Sequence, residues 1–335
     1  MNPKIGFACK WETTDETLRE QITCKTTTVR HAAGLQPAAL FNKLEALVQH
    51  NLSAIQCLIK QTGELPVQQR MCRLTSDILP LKTHAVAVEF WKSKDIQIVV
   101  ERGLAKAGDL AKDQNVRLSF HPGQFTVLNS INDGTVLNAI REVEMHTEQA
   151  LQLGAKGWHS DGWAINVHGG SKGGGLDRLK ENIARLSDAA RGLLTIENDE
   201  FSWGIQELAD ANLPVPIVID LHHHWISAGK HLEVNDALVQ RVVDGWKGIR
   251  PKLHAALSIK ELVPTEEHDV MPNLARCMAA GQTRGSLRAH SYDAWHNGLN
   301  QYFSTWLPQF DIMFEGKAKQ IGAAQIAASS VICQF

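Results

Sequence analysis

The feature that most restricts this chain is an alternation. Short apolar runs rich in β-branched residues recur along it, with segments of helical period between them. The expected strands are Lys4–Cys9, Met71–Thr75, Arg117–Phe120, Ala164–Val167, Leu193–Glu197, Pro216–Asp220, Lys252–Leu257 and Asp311–Glu315. Between them the spacing predicts helices over Ala38–Lys60, Ile96–Asp113, Thr135–Leu153, Leu176–Arg191, Ile205–Ala211 and Asn235–Trp246. Strands separated by helices pair in parallel through right-handed crossovers. Eight such units point to an α/β fold, a single (β/α)8 TIM barrel over residues 1–335, because that fold accommodates insertions well beyond its usual length of about 250 residues. A doubly wound open sheet is the alternative. The span Ser258–Gln301 reads as an enlarged loop with helical pieces, and Gly169–Gly175 as a mobile loop beside the site, since it lacks the P-loop pattern.

Composition narrows the class. Hydrophobic residues make up 44% and charged residues 21% of 335, the proportions of a chain that buries a sizeable core. Apolar stretches such as Ile96–Val100 and Val215–Ile219 fall far short of the roughly 20 residues needed to cross a bilayer, and Met1–Lys10 lacks a signal-peptide run. A cytoplasmic protein with no membrane partner and no nucleotide cofactor is expected. Six scattered cysteines (Cys9, Cys24, Cys57, Cys72, Cys277, Cys333) form no C-x-x-C pair and read as free thiols. The net charge of −2 advertises no global attraction to nucleic acid but leaves room for a local basic face.

Fifteen histidines are the unusual number, and their placement carries the argument. The expected strands three to eight end in or carry His121, His168, Glu197, Asp220 with His223, His254 and Glu315. Reactive groups of a barrel gather at the C-terminal ends of its strands. An isolated histidine there is ordinarily a loop hydrogen-bonder, but six successive strands delivering imidazoles and carboxylates to one rim would crowd anions at high cost without cations. Divalent metal ions resolve the conflict, and this donor set suits Zn²⁺ or Mn²⁺. Such a cluster serves phosphodiester hydrolysis or aldose–ketose isomerisation, and ligand counting does not separate the two.

At these residues the sequence resembles the UV damage endonuclease family, metal-dependent barrels related to endonuclease IV and xylose isomerase-like enzymes. The resemblance lies in R-L-S-F-H-P-G-Q-F (117–125), I-N-V-H-G-G (165–170), I-E-N-D (196–199), V-I-D-L-H-H (218–223), P-K-L-H (251–254) and D-I-M-F-E-G-K-A-K (311–319), with K-I-G-F (4–7) and R-L-T-S-D-I-L-P-L-K-T-H (73–84) extending it. It implies an enzyme that nicks damaged double-stranded DNA 5′ to cyclobutane dimers and 6-4 photoproducts and so starts excision repair. Two or three divalent ions, Mn²⁺ or Zn²⁺, would be held by His84, His121, His168, Glu197, Asp220, His223, His254, His290 and Glu315. The expected catalytic residues are Glu197, Glu315 and Lys252, the last standing where the family has a carboxylatable lysine. Gln124 and Phe125 match the pair that probes the lesion, and Phe7 stands where a tyrosine would widen the same wedge. Downstream repair proteins are further partners, and association with the nucleoid would follow from the DNA substrate.

The turn Lys10-Trp11-Glu12 and the long stretch Glu261–Leu287 depart from the family pattern. Arg73, Lys82, Arg117, Lys172, Lys260, Arg284, Arg288, Lys317 and Lys319 fall at or near the same ends and offer a basic DNA face. An abasic-site endonuclease or a sugar isomerase of the same superfamily is the rival reading, and a barrel that binds metal or DNA without catalysis is the rival from another class.

Overall fold

A computed structural model describes residues 3–332. Cys333 lies outside them; the other five cysteines are free. The eight expected strands are all present, their ends shifted by at most two residues: β1 Ile5–Ala8, β2 Met71–Leu74, β3 Arg117–Phe120, β4 Ile165–His168, β5 Leu194–Glu197, β6 Ile217–Asp220, β7 Lys252–Ala255 and β8 Asp311–Phe314. Every pairing is parallel, and β1 pairs with both β2 and β8, so the sheet closes as a (β/α)8 barrel and not as an open doubly wound sheet. No helix among the described residues is long and apolar enough to cross a membrane.

Each strand sends one face outward to the helices. The long helix Pro37–Glu64 opens on a proline at its first turn and buries Leu44, Val48, Leu52, Ile55 and Ile59, an i, i+3/i+4 stripe, in the outer core. The inward face is polar to a degree unusual for this fold, whose interior is ordinarily layered with Val, Ile and Leu. Thr195 Oγ1 donates to Asn166 Oδ1 at 2.9 Å, and Ser119 and Lys252 are buried at 2% and 1% exposure. At the N-terminal end Asp311 accepts from Arg117 Nη1 (2.7 Å), Arg250 Nε (2.8 Å) and the backbone N–H of Lys4 (2.8 Å).

Three expectations change. The helix expected over Leu176–Arg191 is broken into Gly175–Ala184 and Asp188–Arg191, the second capped by Ser187, whose side chain accepts from the Ala190 N–H. A helix the periodicity did not separate from its strand, Leu221–Ala228, starts directly after β6. The glycine-rich segment after β4 is pinned, not mobile. Buried Asn129 donates to the carbonyls of Gly169 (3.2 Å), Ser171 (2.9 Å) and Gly175 (3.0 Å) and accepts from the Ser171 N–H (2.7 Å). A Cβ on Gly174 would lie 1.4 Å from the Asn129 carbonyl oxygen, so the glycines let the chain wrap this clamp.

One buried group links this frame to pH. His146, fully buried, bonds the Glu142 carbonyl through Nδ1 (2.8 Å) and sets its ring edge-on to Phe120. Burial pushes its pKa down to about 4, an effect the carbonyl bond only partly offsets. Since an unfolded histidine titrates near 6.5, His146 contributes stability that is full above that value and is lost as pH falls toward 4. Between pH 7.5 and 5 this loss is about 2 kcal/mol. Denaturant unfolding of His146→Gln at the two pH values is expected to show a pH-dependent loss smaller by that amount, and an equal loss in both proteins would refute the assignment.

Candidate metal centre

The register delivers the site. Pairing sets His168 of β4 beside Glu197 of β5 and Asp220 of β6 beside His254 of β7, all at the C-terminal ends of the strands. Two groups of potential ligand atoms result, each lying within 4.8 Å: His121, His168 and Glu197, and Glu197, Asp220 and His254. Glu197 belongs to both. It is 1% exposed, lies 3.2 Å from His121 Nε2 and 3.1 Å from His254 Nδ1, and accepts from Asn166 Nδ2.

Local structure explains the aim of each group. Asp220 is the N-cap of Leu221–Ala228, and its Oδ1 accepts from the His223 N–H at 2.7 Å. That leaves Oδ2 buried with no hydrogen-bond partner among the described residues, as are His168 Nδ1, His254 Nε2 and Lys252 Nζ. Buried polar atoms are rarely left unpaired. Three unpaired polar atoms on His168, Asp220 and His254, around the shared Glu197 carboxylate, fit a divalent cation.

Electrostatics point the same way. Burial would push the Glu197 pKa up, but His254 and His168, with hydrogen bonds from His121 and His254, hold it well below the usual carboxylate range. Asp220 is raised to about 7 by burial and by the nearby Glu197 and Glu315. Burial acts against protonation of His223, yet Asp220, Glu197 and Glu200 outweigh it and raise its pKa to about 9. Burial takes His121 down to about 4. Lys252 is lowered to about 7 by burial, with Arg117 and Arg73 adding to it. The ring therefore holds three close carboxylates, of which Glu315 is paired with Arg73.

The remaining expected residues divide. His223 Nδ1 bonds the Asn198 carbonyl at 3.1 Å, 3.7 Å from Glu197 Oε1. Glu315 Oε1 lies 3.3 Å from His254 Nδ1, and the Glu315 carbonyl is 3.3 Å from His290 Nδ1, so both residues join the rim. His84 does not. It is exposed at the start of the turn Ala85–Ala87, in a cleft with Phe125 and Glu142. Gln124 and Phe125 sit on the turn closed by the Thr126 N–H to the Gly123 carbonyl (2.9 Å), with Phe125 83% exposed. Phe7 is corrected: it is fully buried, on the outward face of β1 in the core, with its ring edge-on to Trp11 at 5.7 Å, so it has no face to offer a ligand at the mouth.

Sequence reasoning passed over Asn166 and Asn198. Asn166 precedes His168 by two residues and so shares its inward face, a signal the strand period contains. Asn198 Oδ1 accepts from the Asp220 backbone N–H at 2.8 Å and its Nδ2 donates to the Asp220 carbonyl at 3.0 Å, which no local pattern foretells.

Comparison with known proteins follows this geometry. The profile of a family described as UV-endonuclease UvdE matches residues 3–328. The UV-damage endonuclease of Schizosaccharomyces pombe is 29% identical over 269 residues, 75% of this chain and 42% of that protein. The UV DNA damage endonuclease of Bacillus pumilus is 32% identical over 190 residues, 54% of this chain and 56% of that protein. This chain thus spans about half the length of these relatives. The crystal structure of SacUVDE superposes with a TM-score of 0.75 at 21% identity, covering 99% of each chain, and shares the fold.

Proposed function

The chain belongs to the UV-endonuclease family, and from that premise we propose that it is a metal-dependent endonuclease that nicks damaged double-stranded DNA immediately 5′ to cyclobutane dimers and 6-4 photoproducts, the first step of excision repair. The observation that carries the reading is Glu197 shared between two ligand groups whose buried donor atoms lack partners. His121, His168, Glu197, Asp220 and His254 would hold the ions, with Glu315, His223 and His290 completing the set and His84 joining only by moving inward. Two or three ions of Mn²⁺ or Zn²⁺ suit these donors. When bound, they supply positive charge that lowers the pKa of water and neutralises the phosphate and the departing oxygen.

The chain's own residues do the rest. Asn166 donates to the Glu197 carboxylate and Asn198 pins the Asp220 backbone, which together set ligand orientation. Lys252, buried with Nζ unpaired, stands where carboxylation would turn a cation into a further anion beside the ions. Phe125, exposed beyond anything its apolar ring favours in water, and Gln124 would fill the gap left when the damaged bases turn out of the stack. Extrusion costs least where pairing is already damaged, a physical source of selectivity. Action on DNA in the cytoplasm, at the nucleoid, with repair proteins downstream, belongs to the same reading.

The test is a nicking assay with Mn²⁺ on end-labelled duplexes carrying a cyclobutane dimer, a 6-4 photoproduct, an abasic site or no lesion. Incision immediately 5′ to the photoproducts, abolished by chelation, is expected. Cleavage confined to the abasic duplex would make this an abasic-site endonuclease, and no metal-dependent cleavage would turn the reading to sugar substrates.

A further inference from the structure

The loop after β5 carries a second exposed aromatic that no motif singled out. Phe201 is 56% exposed, held outward by a turn in which Asp199 Oδ1 accepts from its backbone N–H at 2.8 Å. Over its ring, 5.5 Å from the centroid, lies the guanidinium of Arg288, which arrives from the long segment between β7 and β8. That segment is anchored on both sides of Arg288. Arg284 donates to the carbonyls of Ile226 and Ser227, while Ser258 pairs with His290, two residues beyond Arg288.

Between this pair and the metal centre stands Glu200, 9% exposed. Its Oε1 lies 3.1 Å from Arg288 Nε and its Oε2 3.5 Å from His223 Nε2. One carboxylate therefore spans a rim cation and an imidazole of the ligand ring. Arg288 commits only Nε to it; among the described residues its two Nη groups have no hydrogen-bond partner, and the side chain is half exposed. A guanidinium held by one edge over an aromatic face, with its free fork toward solvent, has the geometry that binds a phosphate by two parallel hydrogen bonds.

We propose that Phe201 and Arg288 form a second contact point for the substrate strand, two strands round the mouth from Gln124 and Phe125. Phe201 stacks on a base, Arg288 binds a backbone phosphate, and Glu200 is a positioning residue that fixes Arg288 relative to His223. This rests on the DNA reading above. It also gives the enlarged segment 258–301 a role, since that segment brings a phosphate ligand across the mouth to the β5 loop. Stacking on an exposed aromatic and a phosphate contact from arginine each weaken measurably when removed, independently of base sequence.

The experiment measures affinity by fluorescence anisotropy, with chelator present so that no strand is cut, for a duplex carrying a cyclobutane dimer, across a range of salt. Arg288→Ala is expected to weaken binding about tenfold and to reduce the slope of log affinity against log salt by about one. Phe201→Ala is expected to weaken it about tenfold with the slope unchanged, and Phe201→Trp to restore it. Glu200→Ala should weaken binding in the parental background but add next to nothing in the Arg288→Ala background, because it acts through that residue. If the unsubstituted protein binds and nicks the photoproduct duplex while Arg288→Ala and Phe201→Ala match it in affinity and slope, the proposal fails and the repair reading stands. If the unsubstituted protein binds no duplex, both fail. Parental thermal unfolding of Phe201→Ala and Arg288→Ala keeps a folding defect from being mistaken for a lost contact.

Discussion

Glu197→Gln is expected to lower the nicking rate by at least about 10³-fold while leaving the protein folded. Loss of one outer hydrogen bond to a ligand typically costs about 10–100-fold, and Glu197 is itself shared by both ligand groups. Glutamine keeps the shape and a carbonyl oxygen for Asn166 but removes the charge that His121 and His254 face. In the absence of metal the substitution removes the anion that His254, His168 and His121 hold ionised, so a lower unfolding temperature in chelator is expected, with the fold retained. Added metal separates the two proteins further. A ligand that binds only the folded form adds about 2.7 kcal/mol at 100 times its dissociation constant, so Mn²⁺ should raise the unfolding temperature of the unsubstituted protein and leave that of Glu197→Gln near its metal-free value. Nicking by the variant at the parental rate would remove Glu197 from the mechanism.

The second large effect lies at the other end of the barrel and acts on stability instead. Asp311, 3% exposed, pairs with both Arg117 and Arg250, and it also accepts from the Lys4 N–H. Removing one partner of a buried ion pair leaves uncompensated charge and costs about 3–5 kcal/mol. Asp311→Ala is therefore expected to lower the unfolding temperature by roughly 4–7 °C. Asp311→Asn, which retains an acceptor for one guanidinium, should fall between. Nicking well below the transition should survive in both, since the ligand ring lies at the opposite strand ends. A calorimetric scan of the three proteins tests this, and an Asp311→Ala transition within a degree of the parental one would show that the network contributes nothing net.

Both predictions depend on residues whose importance was legible to different degrees. Glu197 was visible because β-branched runs ending in His, Glu or Asp recur at strand spacing, and a closed barrel sends all such ends to one rim. Asp311 was visible only as a strand's first residue; that Arg117 and Arg250 converge on it needs strands β3, β7 and β8 to be closed into a ring. His84 and Phe7 mark the opposite limit. Both lie in segments that match the family pattern, yet His84 is exposed away from the ligand groups, and Phe7 falls on the outward parity of its strand, where packing against helices takes the whole ring. The glycine-rich loop misled for a similar reason. Glycine signals conformational freedom in a sequence, but here Asn129, 40 residues upstream of Gly169, turns that freedom into a tight wrap.

By itself the sequence determined the fold class, the order and near-exact limits of the eight strands, and the donor types gathered at their ends. These are local quantities: side-chain alternation, helical period and the residue that closes each run. The tertiary structure alone decided which donors share an ion, because that depends on register between strands. It placed Glu197 between two groups, used Asp220 Oδ1 for a helix cap so that Oδ2 stays free, and set Glu200 between His223 and Arg288. Distances of 3 to 5 Å between residues far apart in the chain are set by barrel closure, and no periodicity within one segment encodes them.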